Sequence, residues 1–303
     1  MKTKEFADYN GLGRALEISD GTYDLIVTLD VGPRILRFSL SGGENILEED
    51  VRQSLQLPDG NEWRLYGGHR VWHGPEAFPR TYLCDSAPLD KVETMDNGIS
   101  VWQKEEPWTH LIKGLQITFQ QNRVEVRNRI ANAGAWPLEF SVWGITVLSR
   151  GGQAIFPVIR DDTGLLPNGC YATWPYTRLN DPRLIWGEKY FRLEQDPTLD
   201  REFKIGYPNT AGWAIYLNKG LCFQKMVQHI HGRKYPDFGS SFECFVADWG
   251  LEMETLSPIT LVPPGQTIEH VEFWRLVEMA GPIPQTEEEI DQIAGALSER
   301  QGS

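Results

Sequence analysis

Short runs of alternating apolar and polar residues recur along this chain, each closed by glycine, proline, asparagine or aspartate. This pattern limits the possible folds more than any other, because a period of two marks a strand with one face on a core. Arg123-Val124-Glu125-Val126-Arg127-Asn128-Arg129-Ile130 shows it most cleanly, and predicts Val124, Val126 and Ile130 on the core face. Residues 23–29 and 34–40, bounded by Asp20-Gly21, Gly32-Pro33 and Ser41-Gly42-Gly43, read as an opening hairpin. Residues 213–217 and 221–227, joined at Asn218-Lys219-Gly220, read as another. Residues 98–103, 115–120, 242–246, 251–256 and 269–276 add further strands. Residues 138–148 are mostly apolar on both faces, which predicts a central strand. Residues 44–63 are polar and irregular, and 161–183 are rich in turn formers such as Pro167-Asn168-Gly169 and Trp174-Pro175-Tyr176.

Helical period occurs only over 286–299. Thr286 caps with Glu289 in the capping-box position, and Ile290, Ile293 and Leu297 share a face. The expected architecture is all-β: one large antiparallel β-sandwich over residues 1–280 and a tail over 281–303 carrying a short C-terminal helix. A length of 303 residues is compatible with a single all-β domain.

The formal net charge of −13 argues against nucleic acid and anionic membrane surfaces as partners. It fits a neutral small molecule or glycan; an anionic ligand would need a local basic pocket, for which Arg70, Lys225, Arg233 and Lys234 are available. Eleven tryptophans fit both an aromatic core and a cleft in which rings stack on sugar faces. Cys84, Cys170, Cys222 and Cys244 form no CxxC pair and read as buried free thiols. The first twenty residues lack an apolar signal core, and no run is long enough to span a membrane, so a cytoplasmic location is expected. The oligomeric state is not legible.

Groups able to hold and transfer protons crowd most densely in Gly67-Gly68-His69-Arg70-Val71-Trp72-His73-Gly74-Pro75-Glu76. This stretch is expected to form one wall of a ligand site. A lone histidine is more often a hydrogen-bonded core residue, but two beside Arg70 and Glu76 favour a site. Glu252 and Glu254, alternate residues on one strand, point the same way, and like charges so placed raise one pKa. His229 and His231 form an HxH pair that suits either a strand-end loop or a metal. With no companion glutamate nearby, metal ligation is the minority reading, and no metal or other cofactor is expected. Lys225 and Asp237 are candidates for contacts to sugar hydroxyls. No GxGxxG, P-loop, HExxH or GxSxG motif supports hydride transfer, phosphoryl transfer or serine hydrolysis.

With these residues in hand, the chain resembles the galactose mutarotase-like (aldose 1-epimerase-like) superfamily, and within it a branch of domains of unknown function. The likeness rests on residues 67–76, Trp174-Pro175-Tyr176, Asp181-Pro182-Arg183, Tyr235-Pro236-Asp237 with Gly239, and the ending Leu251-Glu252-Met253-Glu254, Ser257-Pro258, Pro264-Gly265 and Glu272-Phe273-Trp274. It implies a β-supersandwich with a sugar site on its concave face. It also implies a late-strand glutamate as base, matched best by Glu252 with Glu254 beside it, and an early histidine as acid, matched by His69 or His73. Arg70 matches the early arginine. Arg70, Glu76, Lys225 and Asp237 would hold the ligand, and Trp72 or Trp174 would stack on it. One departure is plain: the family's second histidine, on the central strand, has no counterpart in Ser141-Val142-Trp143-Gly144-Ile145-Thr146. Anomer interconversion of an aldose is therefore one expectation. Non-catalytic glycan binding is another. A metal-dependent isomerase or lyase using His229 and His231, or His69 and His73, is the third.

Overall fold

The computed structural model describes residues 1–83, 85–279 and 281–299. Two large antiparallel sheets pack face to face. The first runs, in spatial order, through Lys2–Phe6, Ala15–Ser19, Tyr23–Thr28, Arg34–Leu40, His69–Gly74, Leu138–Leu148, Gly250–Leu256, Phe242–Ala247, Phe203–Tyr207 and Ala172–Thr173. The second runs through Leu184–Trp186, Tyr190–Glu194, Gln153–Pro157, Trp213–Asn218, Leu221–Val227, Thr267–Glu278, Arg123–Asn132, Leu111–Gln120, Gly98–Trp102 and Lys91–Met95. Both expected hairpins are present, and Leu138–Leu148 is interior to its sheet, paired on both sides. Val124, Val126 and Ile130 are fully buried, as their alternation requires.

The main core lies between the sheets. Val71 of the histidine strand, Val142 and Leu148 of the central strand, and Leu251 and Met253 of the late strand all pack there. A second apolar cluster lies on the opposite face of the first sheet: Trp72, Trp143, Ile145, Val147 and Leu256. It exists because these strands are apolar on both faces, so the outer face also needs cover. The cover is a hairpin, Val51–Gln56 with Glu62–Tyr66, which contributes Val51, Trp63 and Leu65. Sequence polarity hid that hairpin: four of its outward residues are Arg52, Gln53, Ser54 and Arg64, and the stretch reads as irregular.

Gly144 shows how closely the inter-sheet space is filled. A Cβ there would lie 2.2 Å from Glu272 Oε1 and 3.0 Å from the Asn128 amide nitrogen. We expect Gly144→Ala to destabilise the fold by about 3 kcal/mol through overpacking. Urea melts compare it with wild type, and a loss below about 1 kcal/mol would mean the sheets can separate freely.

The helix Glu287–Glu299 packs on the second sheet through Ile290, Ile293 and Leu297. Its capping box is formed: Glu289 N donates to Thr286 Oγ1 at 3.3 Å, and Thr286 N donates to Glu289 Oε2 at 3.2 Å. Cys222 and Cys244 are buried free thiols, but Cys170 is exposed, because the turn-rich loop carrying it runs over the surface. Cys84 lies outside the described residues. No helix among the described residues is long and apolar enough to cross a membrane.

Candidate functional site

Cross-strand register carries the chemistry on the outer face of the first sheet. Arg70 pairs with Ile145, Ile145 with Glu254, Glu254 with Glu243, and Glu243 with Gly206. The next row holds Val147, Glu252, Phe245 and Lys204. Directly opposed residues in antiparallel strands share a face, so residues far apart in sequence are set side by side. Over them opens a pocket of about 490 Å³, lined by Arg70, Trp72, Glu76, Lys204, Glu252 and Glu254 among others. The covering hairpin adds Trp63, and neighbouring loops and strands add Tyr82, Tyr176, Phe245 and Trp249. A site walled by aromatic rings and floored by a few convergent charges has the make-up of a small-molecule pocket.

Two ion clusters form the floor. Arg70 lies 3.4 Å from Glu252 Oε1, and its guanidinium sits 4.7 Å from the Trp72 ring and 5.8 Å from the Trp63 ring. Lys204 Nζ lies 2.7 Å from Glu243 Oε2 and 2.8 Å from Glu254 Oε2. The same ammonium is 4.9 Å from the Trp143 ring and 4.7 Å from the Trp174 ring. One ammonium thus serves two buried carboxyls, and one negative charge is left without a partner. The protein resolves this by holding protons. Burial pushes Glu254 up to about 7, Lys204 pulling it down and Glu252 adding to the rise. Burial also pushes Glu243 well above the usual carboxylate range. Lys204 stays charged because the two carboxyls outweigh its own desolvation. Glu254 Oε1 and the indole nitrogens of Trp63 and Trp143 are buried with no hydrogen-bond partner.

Glu252, Glu254, Arg70, Trp72 and Glu76 therefore line one pocket. Glu76 accepts a hydrogen bond from the Tyr82 hydroxyl. The other expected site residues do not line it. His69 and His73 alternate with Arg70 and Trp72 along one strand, so they point to the opposite face, between the sheets. His69 bonds Thr146 Oγ1 at 2.9 Å and Asn128 Oδ1 at 2.8 Å, and burial holds it down to about 4. His73 is buried with no partner on either ring nitrogen, packs against Phe140, and is held well below its ordinary value by burial. Both rings are neutral core groups, and neither reaches Glu252 or Glu254.

Lys225 also lies between the sheets, where it donates to Thr146 Oγ1 at 2.9 Å and pairs with Glu272 at 3.1 Å. Glu272 accepts further hydrogen bonds from Thr255 and Trp274. Although burial pushes Glu272 up, Lys225 and its histidine neighbours bring it down to about 2. Trp174 does not line the pocket; its ring lies 4.7 Å from the Lys204 ammonium. Asp237 sits in the turn Asp237–Gly239 and is not a lining residue. His229 stacks on Tyr235 at 4.9 Å and bonds Ser241 Oγ at 2.9 Å. Among the described residues, no three His, Cys, Asp or Glu side chains gather as a metal set.

Sequence reasoning misses Lys204 and Glu243, which complete the buried ion cluster. The signal is present: each is a single charge between apolar neighbours, in Phe203-Lys204-Ile205 and Phe242-Glu243-Cys244.

Several solved structures share this architecture. A protein from Synechocystis sp. PCC 6803 superposes with a TM-score of 0.56 at 12% identity, over 87% of this chain and 96% of that one. A candidate aldose 1-epimerase from Escherichia coli K12 does so with a TM-score of 0.52 at 13% identity, over 92% of this chain and 100% of that one. A galactose mutarotase-like protein from Lactobacillus casei ATCC 334 gives 0.51 at 11% identity, over 87% and 100%. Neither a family model nor a curated protein sequence matches this chain. At these identities the likeness establishes the fold, which is the galactose mutarotase-like β-sandwich.

Proposed function

We propose that the pocket takes a monosaccharide or the end of a short glycan, and that Glu252 and Glu254 divide acid and base roles at its anomeric centre. The observation that carries this reading is the contrast between two carboxyls on one strand face. Glu252 is ion-paired to Arg70, whereas Glu254 is held up to about 7, so that a large share of it carries a proton at neutral pH. Two neighbouring carboxyls whose environments differ in this way can serve as base and acid. Glu252 would accept the anomeric hydroxyl proton while Glu254 gives its proton to the ring oxygen. The bond between C1 and the ring oxygen then breaks to the open-chain aldehyde. Closure on either face of the carbonyl returns the protons and interconverts the anomers. The aromatic walls supply stacking surfaces for the ring. Glu254 here takes the acid role expected from the sequence for His69 or His73.

NMR exchange spectroscopy on a panel of aldoses tests this. Glu254→Gln is expected to lower anomer exchange by at least about a hundredfold. Its melting temperature should not fall, because Lys204 keeps Glu243 as a partner. The wild-type excess rate over buffer should decline as pH rises through about 7, where Glu254 loses its proton. Unchanged exchange in both Glu252→Gln and Glu254→Gln would sink the catalytic assignment.

A second reading is saccharide binding without chemistry. It is supported by the absence of any imidazole from the pocket lining among the described residues. Binding by calorimetry with no exchange above buffer would select it.

A further inference from the structure

The charges around the pocket indicate which saccharides fit, an inference that rests on the saccharide reading above. Both cations of the lining are already engaged, Arg70 by Glu252 and Lys204 by Glu243 and Glu254. A phosphate or carboxylate on the ligand would compete with Glu252, or with Glu243 and Glu254, for these cations, which disfavours it. At the mouth three more acids line the pocket, Asp200, Glu202 and Asp248, all exposed. No lining cation faces them uncommitted among the described residues. Trp249 lines the same pocket beside Phe245, and an aromatic ring near a cation attracts it. Deeper in, Glu254 is fully buried and its Oε1 has no partner, a polar atom left free for a ligand group. The whole chain, at −13, adds a field that draws cations and repels anions.

We propose that the preferred ligand is an amino sugar with a free, protonated amine, and that phosphorylated sugars and uronic acids are excluded. The ammonium group would lie among Asp200, Glu202 and Asp248, with the ring against the aromatic wall.

Calorimetric titration of the full chain with matched ligands tests this. For each of the gluco, galacto and manno configurations, four probes are compared: the 2-amino-2-deoxy sugar, its N-acetyl form, the parent aldose and the aldose 6-phosphate. The free amine should bind about tenfold more tightly than the parent, with the advantage shrinking as salt is raised, because the rim charges are exposed and screened. The 6-phosphate should not bind. The triple variant Asp200→Asn, Glu202→Gln, Asp248→Asn should lose most of the amine advantage while keeping affinity for the parent aldose. Parent and amine binding equally to the wild type, or the 6-phosphate binding at least as tightly as the parent, would overturn the charge preference and leave the saccharide reading standing. An amine advantage that survives the triple variant would overturn the rim as its source. No binding by any probe would remove the saccharide reading, and this inference with it.

Discussion

Replacing Lys204 with methionine is expected to remove about 3–5 kcal/mol of stability at neutral pH, the scale for breaking a buried ion cluster by deleting one partner. Lys204 is the only cation paired with Glu243 and Glu254 among the described ion pairs, and all three groups are buried. Without the ammonium, both carboxyls must stay protonated in the folded state, and their folded pKa values rise further above the unfolded one. A raised carboxyl pKa gives stability that is fully present below the unfolded value, near 4.5, and lost as pH rises through the folded value. The difference between variant and wild type should therefore be small at pH 4.5 and large at pH 7.5. Urea melts of both proteins at the two pH values measure it. Adding Glu243→Gln should restore part of the loss by leaving one carboxyl where there were two. A difference that does not change with pH would show that methionine acts by misfit and not through charge.

The second large effect is acid lability. His69 and His270 are fully buried, and burial is the main reason that each is held down to about 4. Each is therefore neutral in the folded protein over a range where the unfolded chain, with a pKa near 6.5, takes up a proton. The sign follows: stability from a depressed histidine is intact above about 6.5 and is lost as pH falls towards 4. A gap of this size is worth about 3 kcal/mol for each ring. Glu254, held up to about 7, and Glu243, pushed well above the usual carboxylate range, work in the opposite direction and regain stability as pH falls towards 4.5. Glu243→Gln combined with Glu254→Gln removes this opposing gain and isolates the histidine effect. His73, also held well below its ordinary value by burial, adds to the loss. In that double variant the expectation is a fall of several kcal/mol between pH 6.5 and pH 4, followed by tryptophan fluorescence in urea at each pH. Thr146 and Thr255, which bond these rings, should then be released together with them. A stability that stays flat across this range would mean that the imidazoles are solvated or paired in the native state.

Both effects arise from one arrangement, two polar layers on either side of the first sheet. The inner layer joins Lys225 and Glu272 to His69 and His270 through Thr146 and Thr255. The outer layer joins Arg70 to Glu252, and Lys204 to Glu243 and Glu254. Met253 of the late strand ties them: its carbonyl accepts from Lys225 at 3.0 Å, while its neighbours Glu252 and Glu254 point into the pocket. A buried polar network of this kind holds the strand in one register, since a slip of one residue would exchange the two faces.

Much of this arrangement is legible in the amino-acid sequence. Alternation at 123–130, the two hairpins, the apolar run at 138–148 and the capping box at Thr286 are local signals, each contained within fewer than about twenty residues. The same period places Glu252 and Glu254 on one face, and Arg70 and Trp72 on one face. It also separates His69 and His73 from Arg70, though not by saying which set looks outwards. Strands that are apolar on both faces give no local cue to which face is the core. Only the packing of the sheets decides that the histidines go inside and that Arg70 goes out to Glu252, some 180 positions further along. The same packing brings in Lys204 and Glu243, because the partner opposite a strand residue is set by register between segments and not by spacing within one. The sequence by itself determined the elements and the pairs that share a face; tertiary structure alone decided which face holds the pocket, because that depends on which apolar surface the second sheet buries.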